Sequence, residues 1–571
     1  MHGRHYHAES ARLREIAAEF AVANPALAPL LNGPMTDPDV ERLLDAVAFQ
    51  NDLLAGKLES DFPELVRSLA QLVLPHYLRP IPASAIVVFS PKLPPEQPVT
   101  IPAGARLASL PVDGTSCRFM TTRDLPVHPL EITEAALINE PGRSPEIRLS
   151  FALRGLPLSR WRPEKIYVFL SGERANATDL YQLLSERLAR IVVSAPGAGT
   201  LVLPPACLKP AGFGEEDALF PSPPNAFPGY RILREYFTAP EQFLFFELSG
   251  LERWTSRGES GEFAVSFLLD GLTSRTPRVA RDQFVLNAVP AVNLYRHDAV
   301  PIRLDHRASR YPVRPSGPDP SHHRIFSIDR VTGISRDTGI ERNYAAFELF
   351  SPESALSPRY QASMEKSNAN DGYDTCISVS FPEPGGFTRG ETLSVELTCT
   401  NGRLPESLRI GDIHIPESGI PENVTCRNIT NVNPGAPPPF GPGLLWRLTT
   451  HLYLNHVPLE NAAHLRALLK LYLFAEDSSG ASLTADLKRI DGIEEVAITA
   501  DTAMMEGVPV RGSHIRLRVR EDHFAGAGDL YLFGCVLHRF LEEYAAINCF
   551  ARLTIDEPVR GERYQWPSPA T

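Results

Sequence analysis

The 571-residue chain has seven cysteines, an odd number, widely spaced and without a CxxC pair. That excludes a disulfide scaffold and a zinc ribbon, and leaves the cysteines as small apolar side chains of a reducing compartment. No uncharged apolar run approaches the ~18 residues that a membrane helix needs, so no direct insertion into a bilayer is expected. The opening MHGRHYHAESARLR lacks the apolar stretch of a secretory signal, which predicts a cytoplasmic location. Charge is mixed rather than massed: 56 Lys and Arg face 68 Asp and Glu, a net −12. Without clustered Lys and Arg there is no electrostatic footprint for nucleic acid. Proline, by contrast, is abundant: 53 residues, about 9% against a usual ~5%. Proline removes a backbone donor and breaks helix interiors, so the chain must be rich in strand edges, turns and long loops.

The first 83 residues read as helical. Leu13, Ile16, Ala17 and Phe20 recur on one helix face, and Asn24-Pro25 ends that run. Asp37-Pro38 starts a second helix with Val40, Leu43, Leu44, Val47, Leu54 and Leu58 as its apolar stripe. A third carries Leu65, Leu69, Leu72 and Val73. Three such helices make a thin core, so they are expected to pack against the rest of the chain or a partner. From about residue 84 the period changes to two. Ile147 to Leu153, Phe263 to Leu269 and Leu393 to Leu397 alternate as half-buried strands, separated by proline-rich connectors such as Phe220 to Pro228. One helical insert is expected over Asp179 to Val192, on Leu180, Leu183, Leu184 and Leu188. Near the end, Ala463 to Phe474 reads as a helix, Ile515 to Val519 as a strand, and Asp529 as the cap of a strong helix. A last strand is expected near Phe550 to Ile555. The expected fold is multi-domain α+β: helical 1–83, β-rich 84–330, β-rich 331–455 and mixed 456–571.

Motifs for chemistry are missing. There is no GxxxxGK[ST], GxGxxG or HExxH. Gly526-Ala527-Gly528 opens a helix, but Asp529 would repel an anion there. His2, His5 and His7 lie in a terminus, and His322-His323, beside a proline loop, is expected to be solvated. Cys535 and His538 share a helix face and read as core. Ser367, Ala369 and Asp371 fail as a calcium loop because Ala369 offers no side-chain oxygen. Arg516, Arg518 and Arg520 read as the wet face of a strand. No catalytic residue, cofactor site or metal site is assigned. A cytoplasmic enzyme with a carboxylate site between the β-rich domains is the rival class.

Several blocks carry a family likeness. LREIAAEFAVANPALAPLL, DPDVERLLDAVAFQNDLLAGKLESDFPELVRSLAQLVLPHYLRPIP, IPAGARLASLPVDGTSCRFMTT, FPGYRILREYFTAPEQFLFFEL, NLYRHDAVPIRLDHRASRYPV, CTNGRLP and AGAGDLYLFGCVLHRFLEEYAAINCFARL run from about residue 11 to 566. Together they resemble the TssF family of baseplate subunits of the bacterial type VI secretion system. The resemblance implies a structural wedge protein without catalysis, similar to wedge proteins of contractile phage tails. A phage-like tail wedge with no secretion role is the alternative. The implied partners are a second copy of the chain, TssG, TssE, and TssK reached chiefly through TssG. Neighbouring wedges, the spike hub and, indirectly, the inner-membrane complex follow. The first interface candidates are Leu13, Ile16 and Phe20; the second are Val40, Leu43, Leu44 and Val47.

Overall fold

The computed structural model describes residues 39, 42–43, 45–47, 50 and 70, and most of 74–566. The exceptions in that span are 93–98, 224–225, 274, 306, 318, 336–338, 348–357, 367–372, 382–389, 440–443, 457–460, 475–479, 506–507 and 546–548. Strands predominate and the fold is α+β.

The first sheet orders its strands Ile413–Ser418, Arg106–Val112, Thr115–Thr121, Ala288–Val292, Ser84–Pro91 and Val424–Asn428, all antiparallel. Asp113 and Gly114, both with positive φ, make the two-residue turn between the second and third strands. Asp-Gly suits that turn because its backbone twist matches that of the flanking strands. The end strands curl towards one another: Asn428 Oδ1 accepts from the N–H groups of Gly411 and Ile413 at 2.9 and 3.0 Å. A buried amide thus closes edges that would otherwise be left open.

Two further antiparallel sheets cover this unit. One runs Leu201–Leu203, Leu188–Ser194, Glu262–Leu269, Glu146–Leu153 and Leu130–Ile138; the other Leu208–Ala211, Phe245–Ser249, Lys165–Leu170 and Phe284–Leu286. The strands expected over 147–153 and 263–269 are neighbours in register, with Phe151 opposite Phe263 and the rings stacked at 4.9 Å.

Between residues 295 and 400 the chain forms a separate sheet. Arg324–Ser335 pairs with Glu391–Thr400, flanked by Tyr295–Asp298, Ile302–Leu304, Glu341–Ala346, Arg359–Lys366, Tyr373–Ser380 and Tyr311–Pro312. It has its own core, with Val331, Ile377, Leu393, Val395, Leu397 and Cys399 buried. The boundary expected at 330/331 passes through the strand Arg324–Ser335, and the first sheet takes strands from both sides of it.

Among the described residues from 74 on, the helices are α1 (Arg174–Glu186), α2 (Pro228–Thr238), α3 (Leu444–His456), α4 (Ala462–Leu471), α5 (Gly480–Asp491) and α6 (Ala527–Tyr544). α1 is the expected insert, but it ends before Leu188, which starts a strand. The β-branched run Ile191-Val192-Val193 favours extension and takes over there. α2, α3 and α5 were not expected. At the end of the chain Val508–Val519 pairs in parallel with Phe550–Asp556, and α6 is the crossover between them. Ile493–Met505 and Arg563–Trp566 flank that pair. A parallel pair needs such a long connection, and α6 packs its apolar face back on the sheet.

Candidate functional site

Two helix junctions gather buried charged groups, and some apolar helix positions stand uncovered at the surface. The first junction centres on Asp529, which has no exposed surface. The residue does not cap α6; Gly526 holds that place, and Asp529 lies in the first turn. Its Oδ1 accepts from Arg174 Nε at 3.0 Å, and its Oδ2 from Arg489 Nε at 2.9 Å and the Ala525 N–H at 3.2 Å. Arg489 also donates to Asp486 at 2.7 Å, and Arg174 to Tyr236 OH at 3.4 Å. One carboxylate therefore gathers α1, α2, α5 and α6. Burial alone would raise its pKa, but the two guanidinium groups outweigh that and hold it below the usual carboxylate range. The helices meet closely because Gly528 lacks a side chain: a Cβ there would run into the backbone of Thr178. The Gly528 N–H instead donates to Asp179 at 3.1 Å.

The second junction anchors residues 74–81. Arg234 on α2 donates to the carbonyls of His76, Arg79 and Pro80 at 3.0, 3.1 and 2.9 Å. Its burial pushes the guanidinium down to about 10. Tyr77 OH donates to the Leu471 carbonyl at 2.8 Å, and His76 Nε2 lies 3.1 Å from Tyr472 OH. On the same helix Glu235 is fully buried and saturated by Arg231, Gln242 and the N–H groups of Leu219 and Phe220. These charged residues point inward; Glu235 is saturated there, while Arg234 keeps one buried nitrogen, Nε, without a partner.

Of the interface candidates, Leu43 and Val47 stand on a helical stretch with 66% and 39% of their surface exposed. Leu13, Ile16, Phe20, Val40 and Leu44 lie outside the described residues, as do the 367–371 loop and His2, His5 and His7. A further exposed apolar position is Trp446 on α3, 77% exposed. It was missed because α3 itself was not read from the sequence.

Three other expectations meet the coordinates. Arg516, Arg518 and Arg520 do line a wet face, in ion pairs with Asp556, Glu494 and Asp522. His322 and His323 are not simply solvated: His322 bonds Thr115 at 2.8 Å, and His323 bonds Tyr295 OH at 2.6 Å and stacks on His297. The short helical turn Pro320–His322 turns them inward. Cys549 is exposed, unlike the buried Cys117, Cys207, Cys376, Cys399 and Cys426. Among the described residues no group of three or more His, Cys, Asp and Glu side chains is placed to hold a metal. No described helix is long and apolar enough to cross a membrane. A cleft of about 710 Å³ between the first sheet and the 295–400 unit brings Asp329 and Glu396 together with Arg296 and Arg330. Two of its carboxylates are engaged, Asp329 by Ser327 and Thr398 and Glu396 by Arg330.

The family model described as "Type VI secretion system, TssF" matches residues 2–571. A curated relative from Pseudomonas aeruginosa, the type VI secretion system component TssF1, is 30% identical over 615 residues, with 98% of this chain and 97% of the relative covered. Among solved structures, a chain of the TssK-TssF-TssG baseplate subcomplex superposes with a TM-score of 0.80 at 30% identity, covering 93% of this chain and 99% of that one. A chain of the type VI baseplate complex superposes with a TM-score of 0.61 at 26% identity, covering 100% and 99%. With a match over its whole length in sequence and an architecture shared with both assemblies, the chain belongs to the TssF family of type VI secretion system components.

Proposed function

We propose that the chain is a structural wedge subunit of a type VI secretion baseplate, the platform around the spike hub on which sheath and tube assemble. It works through interfaces and catalyses no reaction. The observation that carries this is the near-complete superposition, at a TM-score of 0.80, on a chain solved within a TssK-TssF-TssG subcomplex. TssG-type and TssK-type subunits are accordingly its partners. The finer assignment is two copies of this chain around one TssG-type subunit, with a TssE-type subunit beside them. Neighbouring wedges and the hub adjoin them, in a cytoplasmic platform docked at the inner-membrane complex.

In that arrangement the helical region 1–83 forms a bundle shared between chains, and the β-rich parts project as wings. Leu43 and Val47, four residues apart on one helix face and exposed, support this division. Exposed side by side, they offer a partner helix an apolar contact to bury. Contraction then follows when wedge contacts rearrange between two packed states. The test is co-expression of tagged chain with the TssG- and TssK-type subunits of its own gene cluster. Wild type should retain both on purification. Leu43→Asp puts a charge into the contact and should release them; retention of both partners by a folded Leu43→Asp would refute the interface.

A further inference from the structure

A buried imidazole without hydrogen-bond partners is unfavourable even when neutral, because one N–H donor and one bare nitrogen both lose water. His451 on α3 is fully buried and neither ring nitrogen has a partner. His76 spends Nε2 on Tyr472 OH, and its Nδ1 has none. Both rings lie where residues 74–81 settle on α2, α3 and Tyr472. His76 stacks on Tyr230 and Tyr472 with centroids 5.5 and 6.3 Å apart. His451 meets Tyr77, Tyr230 and Tyr472 edge-on at 5.1, 5.4 and 5.4 Å. We propose that this aromatic cage is an acid-sensitive latch: it holds residues 74–81 on the body of the protein only while His76 and His451 are both neutral.

The surrounding charges all favour that reading. Arg79 from the segment itself and Arg234 from α2 act on His76 with like charge. Arg447 on α3 donates to Tyr77 OH at 3.4 Å. The other titratable groups at the cage are Tyr77, Tyr230 and Tyr472, with Tyr544 behind Tyr230; α6 contributes Phe540. The carboxylate of α2, Glu235, is committed to Arg231, Gln242 and two backbone N–H groups. Among the described residues no carboxylate acts on either imidazole. A proton added to the cage thus meets no counter-ion.

Burial, then Arg234, hold His76 down at about 3, and burial holds His451 down at about 3. When the cage opens, both rings regain the ordinary value of 6.5. The open form therefore binds more protons between those limits, and the closed form is fully favoured above them and loses population as pH falls. At about pH 5 each ring that opens to water multiplies the open-to-closed ratio about 30-fold.

Hydrogen exchange on the full chain at about pH 7.5 and about pH 5, corrected for intrinsic rates, tests this. The reporters are the Tyr77 and Ile81 amides, which donate to the Leu74 and Ala436 carbonyls. They should exchange roughly 1,000-fold faster at the lower pH, about 30-fold for each ring, relative to amides of the Leu393–Leu397 strand. His451→Phe should cut that acid gain by about 30-fold. His538→Phe, on α6 and outside the cage, should leave it unchanged. Wild type without a preferential gain at Tyr77 and Ile81 overturns the latch, whatever the folding of the variants. So does a gain of equal size in wild type and His451→Phe.

Discussion

The two buried junctions solve one problem in opposite ways. At Asp529 every charge has a partner: a carboxylate with no exposed surface takes two guanidinium groups and a backbone N–H. At the second junction the two imidazoles are neutral and incompletely hydrogen-bonded, beside the cationic Arg79 and Arg234. The first arrangement fixes α1, α5 and α6 into one rigid body, because removing any member strands a buried ion. The second is held by ring packing and by hydrogen bonds from Arg234 and Tyr77, and under the proposed latch it gives way when a proton arrives. Rigidity thus lies under the C-terminal sheet, while the more yielding contact lies where the N-terminal region joins. A wedge subunit working as proposed above would keep its shape while its contacts change, and that placement suits it.

Breaking the saturated junction should have the largest effect. Asp529→Ala leaves Arg174 and Arg489 facing each other and should cost roughly 3–5 kcal/mol in urea unfolding. The loss should fall towards the lower figure, because Arg174 is 31% exposed and water relieves part of the penalty. Gly528→Ala comes next: the new methyl forces α1 and α6 apart, costing ~1–3 kcal/mol against a helix-propensity gain of up to ~1. A lower melting temperature is the expected net result. In the cage, Tyr472→Phe removes only the hydroxyl near His76 and should cost about 1 kcal/mol. Smallest of all, Leu43→Asp should leave the stability of the isolated chain within ~0.5 kcal/mol, because Leu43 is already wet.

The junctions should also part company in pH. Asp529 has a depressed pKa, so its contribution is complete above the ordinary Asp value of 3.8 and fades as pH falls below it. The histidines lose theirs as pH drops below 6.5. Acid titration followed by exchange should therefore loosen residues 74–81 before the N-terminal turn of α6. Simultaneous loosening would contradict the contrast.

What the sequence disclosed follows the same division. Where apolar residues point in and polar ones point out, periodicity worked: Leu180, Leu183 and Leu184 found α1, and Phe151 and Phe263 found two paired strands. At α2 the punctuation misled: Tyr230, Leu233, Tyr236 and Phe237 do mark a helix face, but a connector was expected up to Pro228, where proline instead occupies the first helical position. Asp529 was noticed at a helix start, but its partners Arg174 and Arg489 lie 355 and 40 residues away. His451 had no motif around it, and its significance comes from rings on three other segments. The family likeness was legible throughout because it rests on blocks distributed along the whole chain.

The proposed pairing of two copies of the chain within a wedge is the central point to test. The most direct measurement is the mass of the chain co-expressed with its TssG-type subunit, by size-exclusion chromatography with light scattering. The account predicts a stable complex of two copies of this chain with one TssG-type partner. A monomer that elutes apart from that partner would contradict it.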